Sequence, residues 1–196
     1  MKNKKIYIEA GANDGIFQSR SLHLQNNHEY FGLLIEPHLE TYNQCVINRD
    51  NGYAKIYNAA LVSFNFQSPT IDLGIHCDYT AMNSIVKPPE ESYPQTVSVP
   101  ARTLQSILNE NDIDLVEYFY LDVEGYEKNV LEGIDFNKTK FNFIELECHY
   151  PFIGLTEDEE INMYISFFDK IGYKLSEKIF GDGLPKLIFE PNKSHE

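Results

Sequence analysis

Cysteine is scarce: Cys45, Cys77 and Cys148 are the only three, and none form a CxxC pair. That spacing excludes a thiolate zinc motif and a disulfide framework, and it predicts free thiols. Cations are scarce too. Sixteen Lys and Arg face 30 Asp and Glu, a formal net charge of −14, which argues against a partner held through phosphates, so no nucleic acid is expected. No apolar run approaches the ~20 residues of a membrane helix, and no membrane insertion is expected. Met1 to Lys5 is basic but lacks the apolar stretch and cleavage site of a signal peptide, so a cytoplasmic location is expected. Neither internal repeats nor a domain boundary is visible. The expectation is one domain over 1–192 and a short disordered tail at 193–196.

What is present is an alternation. Lys5 to Ala10, Tyr30 to Ile35, Tyr53 to Val62, Thr96 to Val99, Tyr118 to Val123 and Phe141 to Cys148 read as strands. Helical segments are expected between them: through the Leu22 and Leu24 region, over Leu39 to Asn48, from Thr103 as N-cap, and over Glu127 to Leu131 up to Gly133. Thr156 to Glu159 is a capping box opening a helix to about Ile171. Tyr173 to Phe180 and Leu184 to Glu190, joined at Gly181-Asp182-Gly183, read as a β-hairpin. This order predicts an α/β fold with a mostly parallel sheet, helices on both faces and a closing antiparallel hairpin.

In such a sheet a ligand sits beyond the carboxyl ends of the strands. The first strand ends in Gly11-Ala12-Asn13-Asp14-Gly15. A dinucleotide fingerprint, GxGxxG, would need glycine where Asn13 stands, because the backbone there touches a pyrophosphate. A nucleoside ligand without phosphate has no such requirement, and Asn tolerates left-handed backbone. Glu36 follows Gly15 by 21 residues, at the end of the second strand, where a carboxylate accepts the hydroxyls of a ribose. Loop and acid together, in this order, point to nucleoside binding.

The blocks IEAGANDGIFQSRSLHL, GLLIEPHLETYNQCVINR, NAALVS, TLQSILNENDIDLVEYFYLDVEGYEKNVLEGIDF and FIELECH occur in that order between Ile6 and Tyr150. In them the chain resembles the FkbM-type methyltransferases. The resemblance implies a Rossmann-like class I methyltransferase fold with a seven-stranded sheet, and O-methylation of a sugar, glycan or other small-molecule hydroxyl with S-adenosyl-L-methionine. It places the cofactor against Glu9, Gly11, Ala12, Asn13, Asp14, Gly15, Glu36 and Pro37, with Asn58, Ala59 and Asp122. Two positions depart from the family's pattern: Tyr120 stands where many members have Lys, and Glu9 where Asp is frequent.

Methyl transfer to a hydroxyl asks for alignment and for a base within hydrogen-bond reach. His149, Asp122 and Glu147, at the ends of two adjacent strands, are the expected catalytic residues. Asp122, Glu124, Glu147 and His149 could also gather round Mg2+, but their spacing is no known ligand signature, and no metal is expected. The long loop from Cys77 to Gln95 is expected to cover the acceptor, with Tyr79 and Tyr93 able to stack on a sugar. Two other readings stand beside this one: a catalytically silent S-adenosylmethionine-binding or scaffold module, and an NAD-dependent oxidoreductase. The sequence does not fix the acceptor or the oligomeric state.

Overall fold

The computed structural model describes residues 4–86, 92–180 and 183–192. At its centre β1 (Lys5–Ala10) pairs in parallel with β2 (Tyr30–Ile35) on one side and β8 (Tyr118–Leu121) on the other. β3 (Ala54–Tyr57) extends the sheet beyond β2, and β10 (Ile144–Glu147) extends it beyond β8. The hairpin of β11 (Tyr173–Ile179) and β12 (Lys186–Pro191) closes it, with β12 antiparallel to β10. The order is β11-β12-β10-β8-β1-β2-β3, seven strands and mostly parallel.

Alternation along each strand divides the side chains between two faces. One face carries Ile6, Ile8, Leu33, Ile35, Phe119, Leu121, Ile144 and Leu146. It packs against α2 (Leu104–Glu110), α3 (Glu127–Leu131) and, after the single turn of α4 (Tyr150–Ile153), α5 (Glu157–Lys170), in the main hydrophobic core. Phe168 of α5 stacks on Phe189 of β12 with ring centroids 4.0 Å apart. Truncating such a ring to Ala costs ~3–5 kcal/mol. The other face carries Tyr7, Leu34 and Tyr120 and meets Cys45 of α1 (Leu39–Arg49). The Thr103 cap and the Thr156–Glu159 capping box both form as the sequence predicts. No helix among the described residues is long and apolar enough to cross a membrane.

Three expectations need correction. The helix expected after Gly15 is only one 3-10 turn, Leu22–Leu24. Side chains outcompete the helix there: Asp14 Oδ1 accepts the Ile16 and Phe17 amides, and Glu9 accepts the Arg20 amide. The strand expected over Tyr53 to Val62 breaks at Asn58, whose Nδ2 donates to the Glu36 and Pro37 carbonyls. Beyond the break, β4 (Ala60–Leu61) joins β6 (Gln95–Arg102) and β5 (Thr70–Ile75) in a separate three-stranded sheet. β5 was not expected, and β6 runs past both ends of the predicted Thr96–Val99. The last strand before α5 is divided as well: Lys140–Phe141 (β9) pairs with β7 (Leu115–Val116), apart from β10. The expected tail 193–196, the Pro88-Pro89 stretch and the Gly181-Asp182 turn lie outside the described residues.

Candidate functional site

The first loop is shaped from below by two buried charges. Glu9, at the end of β1, accepts from the Arg20 amide and from the Ser19 and Ser21 hydroxyls. Arg49, fully buried at the end of α1, donates to the Gly15 carbonyl, Ser19, Ser21 and the Tyr7 hydroxyl. It stands 3.8 Å from Glu9. Together they hold residues 15–21 as a compact wall. Gly11 takes φ 83°, and a Cβ there would stand 1.7 Å from the Asp122 carbonyl oxygen, so β1 can turn this close to β8 only with glycine. Asn13 takes φ 47°, the left-handed conformation expected of it.

Glu36 closes the next position. Its Oε2 accepts from the Asn13 amide, and its Oε1 from the His38 amide and the Thr41 hydroxyl. Three donors leave about one acceptor position of the carboxylate open. Burial outweighs these bonds and pushes the Glu36 carboxyl up to about 7.

At the ends of β8 and β10 the carboxylates crowd. Glu127, fully buried in the first turn of α3, accepts from the Val123 and Gly125 amides and so shapes the turn after Asp122. His149 is 1% exposed and surrounded by four carboxylates. Its Nδ1 lies 3.0 Å from Glu127; its Nε2 lies 3.4 Å from Glu124 and 3.7 Å from both Asp122 and Glu147. Burial opposes charge on this ring, but Glu127 and Glu124 prevail and push its pKa up to about 12. A ring so held already carries its proton at neutral pH. Burial, with Glu147 next, raises Asp122 well above the usual carboxylate range.

One cavity joins these regions. Of the residues expected at the cofactor, Glu9, Gly11, Asn13, Glu36, Pro37, Ala59 and Asp122 line it. Ala12, Asp14, Gly15 and Asn58 stand behind the lining: Ala12 is buried, Asp14 and Asn58 bond backbone groups, and Gly15 packs on Arg49. Of the expected catalytic residues, Asp122 and Glu147 line the cavity and His149 sits behind them.

The structure adds residues that sequence reasoning missed. Arg20 reaches across to Glu145 at 2.7 Å, and Lys186 stands 3.4 Å from Glu147. The three-stranded sheet brings Thr80, Ala81, Asn83 and Ile85 over the cavity. Thr80 Oγ1 donates to Asn13 Oδ1 at 3.4 Å, and Ser84 donates to the Glu124 carbonyl at 2.7 Å. The expected Tyr79 and Tyr93 pack around His76 instead, and the short turn between them does the covering. The covering loop as such, with Met82, Asn83 and Ser84 in it, is legible in the sequence; the approach of Thr80, Ala81 and Ile85 to the cavity is not.

Comparison with known proteins fits this arrangement. Residues 9–175 match the family model described as the methyltransferase FkbM domain. Among solved structures, the chain is similar to a methyltransferase FkbM from Methylobacillus flagellatus, with TM-score 0.58 and 15% identity over 96% of this chain. It spans 44% of that protein. It is similar also to precorrin-6y C5,15-methyltransferase from Geobacter metallireducens, with TM-score 0.54 and 8% identity over 98% of this chain and 82% of that one. The Methanococcus jannaschii fibrillarin pre-rRNA processing protein gives TM-score 0.54 and 10% identity over 98% of this chain and 69% of that one. Identities this low carry the fold alone. No curated protein matches the chain.

Proposed function

The chain belongs to the FkbM methyltransferase domain family, and on that premise we propose that it transfers the methyl group of S-adenosylmethionine to a hydroxyl of a sugar, glycan or other small molecule. The observation that carries this reading is the shared cavity. Glu36 at the end of β2 and Asp122 and Glu147 at the ends of β8 and β10 all line it.

The residues suit a nucleoside cofactor that carries no phosphate. Glu36 keeps an acceptor position for a ribose hydroxyl. The loop cations are already committed: Arg49 to Gly15, Ser19, Ser21 and Tyr7, and Arg20 to Glu145. Asn13 stands where a pyrophosphate would need glycine. S-adenosylmethionine, when bound, supplies a methyl group activated by its sulfonium.

The chain's part is positioning and proton removal. Gly11, Asn13 and Glu36 hold the nucleoside end, with Ala59 and Pro37 lining the same wall. Asp122 lines the cavity beside Glu147 and orients the acceptor. Glu147 takes the acceptor's proton: it lines the cavity, and Lys186 and the His149 ring flank its two oxygens. His149, charged and out of the cavity, positions those carboxylates. The reading takes residues 1–192 as one methyltransferase domain.

Incubating the protein with methyl-labelled S-adenosylmethionine and a panel of sugars and glycoconjugates tests it. Label recovered as an O-methyl ether supports the reading. Tight binding of the cofactor without transfer to any hydroxyl would make the chain a silent binding module, and co-purified NAD would make it an oxidoreductase.

A further inference from the structure

His149 presents an anomaly that positioning carboxylates does not explain. Its side chain is buried to 1% exposure, yet Nδ1 has no aligned hydrogen-bond partner. The Nε2 distances of 3.4–3.7 Å to Glu124, Asp122 and Glu147 exceed the ~2.7–3.2 Å of an N–H···O bond. Three neighbours share the condition. Glu127 is fully buried with Oε2 unpartnered, Asp122 Oδ1 is buried and unpartnered, and so is Oε2 of Glu160, whose other oxygen accepts from the His149 amide. Buried polar atoms normally find partners. The orphans on His149, Glu127 and Asp122 lie close enough together to call for a common explanation.

Asp122, Glu127 and His149 each present a ligand atom, all within 4.8 Å of one another. Ligand atoms round an octahedral ion with bonds of ~2.1 Å stand ~3–4 Å apart, so a small adjustment closes the set. The elements that hold them are independent: Asp122 follows β8, α3 carries Glu127, and His149 follows β10. The Glu127 carboxylate is fixed by the Val123 and Gly125 amides on its other oxygen, and the His149 amide is fixed by Glu160 of α5. Such outer contacts are what orient metal ligands.

We propose that Asp122, Glu127 and His149 form a divalent-cation site at the floor of the cavity, suited to an ion of the Mn2+ class. The ion takes the place of the proton that the ring holds without it, and two carboxylates with one neutral imidazole match an ion that takes oxygen and nitrogen donors together. Two carboxylates also balance its charge, and Glu124 and Glu147 add to the negative field. The His149 and Glu127 side chains are sealed from solvent, whereas that of Asp122 is 41% exposed and lines the cavity. The ion's remaining positions therefore face the cavity, where oxygens of a polyhydroxylated acceptor can enter. That role at the acceptor rests on the reading above; binding of the ion does not.

The test is titration of the chelator-treated full chain with Mn2+, followed by the electron paramagnetic resonance signal of the free ion. One ion per chain is expected to bind. Asp122→Asn is expected to weaken it more than ~10-fold, with a melting temperature close to that of the unaltered chain because Asp122 is part-exposed. Glu127→Gln is expected to weaken it as well; should that variant fail to fold, Asp122→Asn decides alone. Glu36→Ala separates the two proposals: it is expected to lose S-adenosylhomocysteine and keep Mn2+. Folded protein that leaves Mn2+ free up to about 1 mM, or that binds it equally well as Asp122→Asn, overturns the site.

Discussion

The two ends of the cavity are built on opposite principles. At the first loop, nearly every buried polar atom is answered from within the chain. Glu9 has three donors, Asp14 two, Glu36 three, and of the Arg49 guanidinium only Nε goes without a partner. At the ends of β8 and β10, Asp122, Glu127 and His149 all keep unanswered atoms amid like charges. That contrast is what the proposed function asks for. An end shaped in advance suits a ligand that is always the same, the proposed cofactor. An end that holds charge in place by burial, at a cost in stability, suits the proposed chemistry.

Four changes would break or sharpen that contrast. Glu147→Gln at the reacting end is expected to lower the rate of methyl transfer by ~10²–10⁴-fold and to leave cofactor affinity unchanged, a split that single-turnover kinetics and calorimetry read separately. Arg49→Met, at the other end, acts on stability. Removing a buried cation that answers Glu9 and four other acceptors is expected to cost ~3–5 kcal/mol, measured by denaturant unfolding.

The third and fourth changes concern pH. Glu36 accepts ribose hydroxyls best as a carboxylate, and burial places its carboxyl at about 7. Affinity for S-adenosylhomocysteine should therefore rise as pH rises through neutrality, by about tenfold between about pH 6 and about pH 8. The same group lowers folding stability as pH rises from about 4.5 to about 7, because ionisation is harder in the folded chain than in the unfolded one. Glu36→Gln, uncharged throughout, should flatten the affinity profile and hold it near the acid limit. A profile that keeps its slope in this variant would assign the titration to another group.

Sequence disclosed the parts of this molecule that depend on neighbours in the chain. The Gly11–Gly15 turn, Glu36 after β2, the Thr103 and Thr156 caps and the closing hairpin are written in short-range patterns. What it hid comes from long-range contacts. Arg49 falls just past the expected Leu39–Asn48 helix, and nothing local says that its guanidinium organises residues 15–21 from 28 to 34 positions away. Glu127 reads as an ordinary first-turn acid, yet its carboxylate shapes the turn after Asp122 and faces His149. Leu22 and Leu24 carry a helical suggestion that Glu9 and Asp14 override through side-chain bonds. Residues 80–85 reach the cavity only because the unforeseen β5 pairs with β6.

Under the proposed function, the shaped end of the cavity is a nucleoside site closed by Glu36. Calorimetric titration with S-adenosylhomocysteine, of the unaltered chain and of Glu36→Ala, tests it most directly. One-to-one binding is expected, weakened by ~100-fold or more in Glu36→Ala, the worth of charge-assisted bonds to a ribose. Binding unaffected by Glu36→Ala, or no binding by folded protein, would contradict it.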